Sequence, residues 1–385
     1  MKKQKHLLKY FSIGLLTLSL SLVSCEDEIT NDAITTKSEE GGDGSICDFE
    51  PYGLYFDNGK SVECENNMMH FPSWESFATT LEDLEDQLES HDDDFLIPNQ
   101  HLSEDDLNDL EESIGHDPDL PLIEYELIHQ FCSLRQVEAA AENSWLDASD
   151  QPGWTMNDWQ ENQFLVDPAE QTLYNPYNEV MICNVIYKDM EGGLLLIDAN
   201  HPDAIDALSS ANNGSSIEEV IETYGGNVEE PGAATADIVT PGAPTCFYKS
   251  AKSEGFQLDN TYGMRASHQI RSRTFDSGPG DVNVFKAFTR NYKKKRGKMK
   301  KRRISSSARI YGDLYTVDIN AGVNPNERCN YLEPIDDTGA YRKKRRSKVK
   351  SRESHPTNLV TGTDIDQLDS DHRQRPFYKT LTFED

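Results

Sequence analysis

Charge in this chain is sorted along its length. Residues 25–264 hold 53 Asp and Glu against 6 Lys and Arg, a net of −47, while residues 265–352 hold 24 basic against 8 acidic residues, a net of +16. The tail from 353 onward returns to a net of −4. Two runs dominate the basic part: nine of the eleven residues 293–303 and eight of the eleven residues 342–352 are Lys or Arg. Blocks of opposite sign attract until salt screens them, over about 8 Å at physiological ionic strength. Any fold of this chain must therefore place a strongly acidic part relative to a strongly basic one. The chain as a whole has 385 residues and a net charge of −31, too acidic for a dedicated nucleic-acid role. With 16 Tyr and 15 Phe it has anchors for a core, and its length suits two ordinary domains.

The N-terminus reads as an address. Lys2, Lys3, Lys5 and Lys9 precede an apolar stretch of 13 residues, 11–23, too short to span a bilayer stably. Leu22-Val23-Ser24-Cys25 then resembles the lipobox of bacterial lipoproteins, in which the cysteine becomes the lipidated N-terminus. On this reading residues 1–24 are a signal peptide. Residues 25–46, rich in Thr, Glu, Asp and Gly, are a solvated tether. The acyl chains on Cys25 supply the membrane contact.

Six further cysteines suit an oxidising compartment. Cys47 and Cys64 bracket Asn58-Gly59, a hairpin turn that brings both thiols to the open end. Cys246 and Cys329 both lie beyond a linker at 225–245 and are expected to pair. Cys132 and Cys183 remain, expected as buried thiols.

Periodicity predicts an α+β fold, with an acidic α+β domain over 47–224 followed by a basic antiparallel β domain over 246–385. A short strand at 68–71 precedes Ser73 as an N-cap. Trp74, Phe77, Ala78, Leu81, Leu84 and Leu88 then follow helical spacing, with acids opposite. A second helix over 103–114 starts at Ser103 with Asp106 three residues on, its apolar stripe formed by Leu107, Leu110 and Ile114. A third spans 123–141. Strands are expected at 179–188 and 193–198, and a short helix at 216–224. The 225–245 segment, with its Gly-Gly, Pro-Gly and Pro-Gly-Ala-Pro, has linker composition. Beyond it, alternating stretches at 264–275, 282–292, 302–311 and 314–319 read as a small sandwich.

Phe71-Pro-Ser-Trp-Glu-Ser-Phe77, the strand from Asn178, and above all Tyr292-Lys-Lys-Lys-Arg-Gly-Lys-Met-Lys-Lys301 resemble a group of Bacteroidetes-type surface lipoproteins. Glu26-Asp27-Glu28 after Cys25 resembles their acidic surface-export signal. The resemblance implies an outer-membrane lipoprotein exposed at the cell surface and transfers no activity.

Catalytic motifs are not found: the sequence has no H-E-x-x-H, G-x-S-x-G, P-loop or G-x-G-x-x-G, and no cofactor is implied. Glu126-x-x-His129 has metal-ligand spacing, but a single such pair reads better as a surface hydrogen bond. The carboxylates of 364–371 read as a solvated acidic loop lacking the EF-hand glycine. The functional candidate is the basic hairpin Lys293, Lys294, Lys295, Arg296, Lys298, Lys300, Lys301, Arg302 and Arg303, pairing 282–292 with 302–311 around Arg296-Gly297. Three readings fit it: a solvated guard against edge pairing, a contact for an anionic polysaccharide or other envelope polyanion, or docking on the acidic domain. The expected function is binding or envelope assembly at the cell surface. The rival is a secreted hydrolase acting on glycans through a carboxylate pair.

Overall fold

The computed structural model describes residues 68–72, 74–160, 162–229 with short gaps, 250–273, 282–316, 331–339, 342–354 and 364–383. Cys25, the tether, Ser73 and the candidate pairs Cys47 with Cys64 and Cys246 with Cys329 lie outside these residues. Among the described residues no helix is long and apolar enough to cross a membrane.

The fold is α+β, a helical part followed by antiparallel sheets. The first part runs β1 (His70–Phe71), α1 (Trp74–Asn99), α2 (Glu104–Ile114), α3 (Leu120–His129), α4 (Leu134–Asp147), α5 (Pro168–Gln171), β2 (Glu179–Ile182), β3 (Val185–Met190), β4 (Gly193–Asp198), α6 (Ala204–Asn212), α7 (Ile217–Tyr224) and β5 (Asn227–Glu229). Its strands form one sheet in chain order, β1 parallel to β2 and the others antiparallel. The sheet is apolar on both faces. Val180, Ile182 and Tyr187 pack with Phe77, Leu84, Leu122 and Leu134, while Ile186, Leu195 and Ile197 pack with α6 and α7.

Several boundaries differ from expectation. The helix expected over 123–141 is two, because Gln130 takes a left-handed φ of 48° and Ser133 starts α4 by accepting from the Gln136 N–H. The strand expected over 179–188 is a hairpin, β2 against β3. Part of the segment expected as a linker over 225–245 is a strand, Asn227–Glu229, which pairs with β4. Ile114 is exposed, and the inward face of α2 is Leu107, Asn108 and Glu111. Cys132 is disulfide-bonded, so it is not the thiol expected there.

The second part comprises β6 (Ser250–Leu258), β7 (Tyr262–Arg273), β8 (Val282–Lys295), β9 (Lys298–Lys301), β10 (Ile304–Thr316), β11 (Tyr331–Thr338), β12 (Arg342–Lys344), β13 (Arg346–Ser354), β14 (Asp364–Gln374) and β15 (Phe377–Phe383). One sheet has the order β13-β8-β7-β6 with β9 on β8, and the other β11-β10-β14-β15 with β12 on β10. Phe285, Ala287 and Val349 of the first meet Ala308, Ile310 and Ile335 of the second, the core of a sandwich. The segment 364–371, expected as a solvated loop, belongs to β14, with Asp369 and Asp371 buried.

Strand β8 is covered on both sides. Phe285, Ala287, Thr289 and Asn291 turn toward the second sheet, and Lys286, Phe288, Arg290 and Tyr292 toward the helices. All eight are buried. A strand with two covered faces loses the apolar-polar alternation of a half-exposed one. Here the helix-facing side is charged because acids face it. Lys286 lies 2.6 Å from Asp167, 3.1 Å from Glu170 and 3.6 Å from Glu85.

Candidate functional site

The basic hairpin forms as its turn residues dictate. Arg296 and Gly297 have φ of 54° and 91°, the two-residue turn with both central residues left-handed that suits the right-handed twist of paired strands. Register sets Lys293 opposite Lys300 and Lys295 opposite Lys298. Like charges directly opposite destabilise a ladder. Within the hairpin the strand returning along β8 is β9. The expected pairing of 282–292 with 302–311 does not occur, because the chain crosses after Lys301 and β10 joins the other sheet.

Acidic residues of α2 offset the repulsion. Ser103 caps this helix by accepting from the Asp106 N–H, which sets Asp105, Asp109 and Glu112 along one stripe at spacings of four and three. Lys293 Nζ lies 2.5 Å from Asp105, and Lys295 Nζ lies 2.8 Å from both Asp109 and Glu112. Arg302 reaches Glu112 at 3.3 Å. Hydrogen bonds from Lys295 and Arg302 hold the Glu112 carboxyl down at about 2. From α4, Glu142 meets Lys301 at 2.6 Å, and the Asp147 carbonyl accepts from Lys298 at 2.8 Å.

Arg303 is the fully buried member. Its Nε donates to Glu111 at 2.6 Å and its Nη2 to Asp92 at 2.5 Å, while its backbone N–H donates to Asn108 Oδ1 and its carbonyl accepts from Asn108 Nδ2. The second basic run is held in the same manner, mostly by α1. Arg342 pairs with Asp93, Lys344 with Asp92 and Asp93, Lys348 with Glu85 and Asp167, and Lys350 with Glu85. Arg345 joins Glu111, and Arg346 joins Asp119. The two basic runs and the two acidic helices thus close on each other as one electrostatic clasp.

Of the nine hairpin candidates, six are engaged inward. Lys294, Arg296 and Lys300 are exposed and have no ion-pair partner among the described residues. Docking on the acidic domain is one of the three readings of the basic hairpin, but sequence reasoning does not identify the acids that form the other half of the clasp: Glu85, Asp92, Asp93, Asp105, Asp109, Glu111 and Glu112. The available signal was their helical spacing against basic runs of similar length.

Three buried or partly buried seam carboxylates are held in the ionised form by the cations beside them. Burial alone would raise the Asp167 and Glu142 carboxyls, yet Lys286 and Lys348 hold Asp167 well below the usual range, and Lys301 and Arg290 lower Glu142. Asp119 is lowered against its burial by Arg346 and Lys301. A general acid for glycoside cleavage needs the opposite shift, up toward neutrality. Glu126, the helical partner of His129 in sequence, is instead buried under Ser133, Arg135 and Gln136. Among the described residues no group of three or more His, Cys, Asp or Glu is placed to hold a metal ion.

No protein-family profile matches the chain, and no curated protein does either. A solved structure of a DUF4848 family protein from Bacteroides thetaiotaomicron is similar to it at 12% identity, covering 83% of this chain and 98% of the other, with a TM-score of 0.15. A likeness that slight carries no argument about fold or function.

Proposed function

We propose that the protein is a lipid-anchored binding or envelope-assembly protein at the outer cell surface, which contacts an anionic polymer through the tip of its basic hairpin. The lipobox at Cys25 and the resemblance of the hairpin to Bacteroidetes-type surface lipoproteins support the address. The observation that carries the contact is the division of the hairpin's cations: the inward ones are neutralised by acids of the same chain, and Lys294, Arg296 and Lys300 are left facing solvent. Three unneutralised cations on a rigid two-stranded ribbon attract phosphate, sulfate or carboxylate groups, with a gain from released counterions that declines as salt rises. Binding is favoured over hydrolysis because the cations beside Asp119, Glu142 and Asp167 lower their carboxyl pKa values and keep them ionised, the reverse of what a general acid needs.

The test is retention on immobilised dextran sulfate. Lys294→Gln/Arg296→Gln/Lys300→Gln is expected to elute at clearly lower salt than the unchanged protein, with an unfolding midpoint no lower. Equal elution of the two proteins defeats the contact. Membrane attachment is tested separately by Cys25→Ser, which is expected to move the protein to the soluble fraction.

A further inference from the structure

The clasp does not close completely. Between α1, the start of α3 and strands β8, β12 and β13 it leaves a cavity of about 400 Å³, within the range of small-molecule sites. We propose that this cavity binds a neutral, hydroxyl-rich ligand of about disaccharide size. This site is separate from the hairpin tip and does not depend on the polyanion contact.

The lining mixes carboxylates with cations, and most of these pair with one another. Asp119 holds Arg346, Glu142 holds Lys301, and Glu85 holds Lys348 and Lys350. An anionic or cationic ligand would leave one partner of such a pair uncompensated, which is costly in a partly buried site. A hydroxyl group avoids that conflict, because it donates to a carboxylate and accepts from a guanidinium or ammonium at once. It can join each pair without breaking it.

One further feature points the same way. Leu88 and Pro118, both only partly buried, place apolar surface beside these polar groups, as the C–H faces of a sugar ring require.

Isothermal titration calorimetry of the full chain with cellobiose, maltose, lactose and N,N′-diacetylchitobiose tests this, with a chondroitin sulfate disaccharide and glycylglycine as charged and zwitterionic comparators. At least one neutral disaccharide is expected to bind and both comparators to bind at least tenfold more weakly. Asp86→Trp, an exposed change at the cavity rim, should weaken the neutral ligand at least tenfold by blocking entry. No heat with any neutral disaccharide, tighter binding of a comparator, or undiminished binding by Asp86→Trp overturns the proposal.

Discussion

Arg303 and Glu111 stand 192 positions apart and meet as an ion pair with neither side chain more than 1% exposed, Nε to Oε1 at 2.6 Å. One comes from the start of β10's approach and the other from the middle of α2. Their contact joins the basic and acidic parts of the chain, with Arg345 on the second oxygen of Glu111 at 3.0 Å and the Phe95 ring 4.7 Å from the guanidinium.

Removing Glu111 should therefore be costly. Glu111→Ala is expected to lower unfolding free energy by about 3–5 kcal/mol, because Arg303 stays buried with part of its compensation lost. Urea denaturation checks this. In a double-mutant cycle, Glu111→Ala with Arg303→Ala should cost clearly less than the sum of the single changes. Additive losses would mean the pair is not coupled.

The outer pairs of the hairpin should behave differently. Lys293→Gln and Lys295→Gln each remove a partly exposed partner of α2, so each should lower the unfolding midpoint only slightly at low salt and less at 1 M NaCl. Lys294→Gln and Lys300→Gln, which leave acids unaffected, should be neutral or slightly stabilising, since Lys300 faces Lys293 across the ladder. Thermal unfolding of the four variants at two salt concentrations separates these outcomes.

A buried polar chain lies between the two sheets of the sandwich. Ser370 Oγ sits 2.8 Å from both His268 Nδ1 and His372 Nε2, and Thr289 Oγ1 is 3.0 Å from His372 Nδ1. Burial lowers both imidazoles to about 3, helped at His268 by the neighbouring His372 and opposed at His372 by Asp371. The unfolded chain, with histidines near 6.5, binds protons first as pH falls. Stability from these groups is thus complete above about 6.5 and is lost toward pH 3, by about 1.4 kcal/mol per pH unit for each histidine. Urea midpoints should already decline between pH 6.5 and 4.5, above the carboxylate range. His372→Gln should have a flatter profile in that window, and an unchanged slope would remove the histidines as its cause.

The disulfide of Cys132 also makes a prediction. If the expected pairs Cys47 with Cys64 and Cys246 with Cys329 form, Cys183 is left for Cys132, and Ile182 beside Cys183 in the chain packs in the same cluster as Leu134, which is close to Cys132 in the chain. Non-reducing peptide mapping is expected to recover the Cys132 and Cys183 peptides as one species that reduction splits. Recovery of Cys132 with any other cysteine would overturn this assignment.

Local rules made part of this protein legible before any fold was known. Ser103 with a helix-compatible run after it specifies the start of α2, because capping is decided within four residues. Arg296-Gly297 specifies the turn for a similar reason, since glycine tolerates positive φ in a two-residue loop. The segregation of charge likewise showed that an acidic part and a basic part must come to terms, and the aromatic and β-branched runs gave an α+β reading. Tertiary structure alone decided how. A carboxylate stripe on a helix is equally compatible with water or with a facing row of lysines, so the partners of Glu85, Asp109 and Glu111 could not be read locally. The same holds for β8, whose Lys286 and Arg290 look solvent-facing in sequence but are buried against acids. It holds also for β10, which leaves the hairpin for the opposite sheet. These choices depend on which surfaces meet once the helices pack on the sandwich, and residues nearly two hundred positions apart supply the energy that selects them.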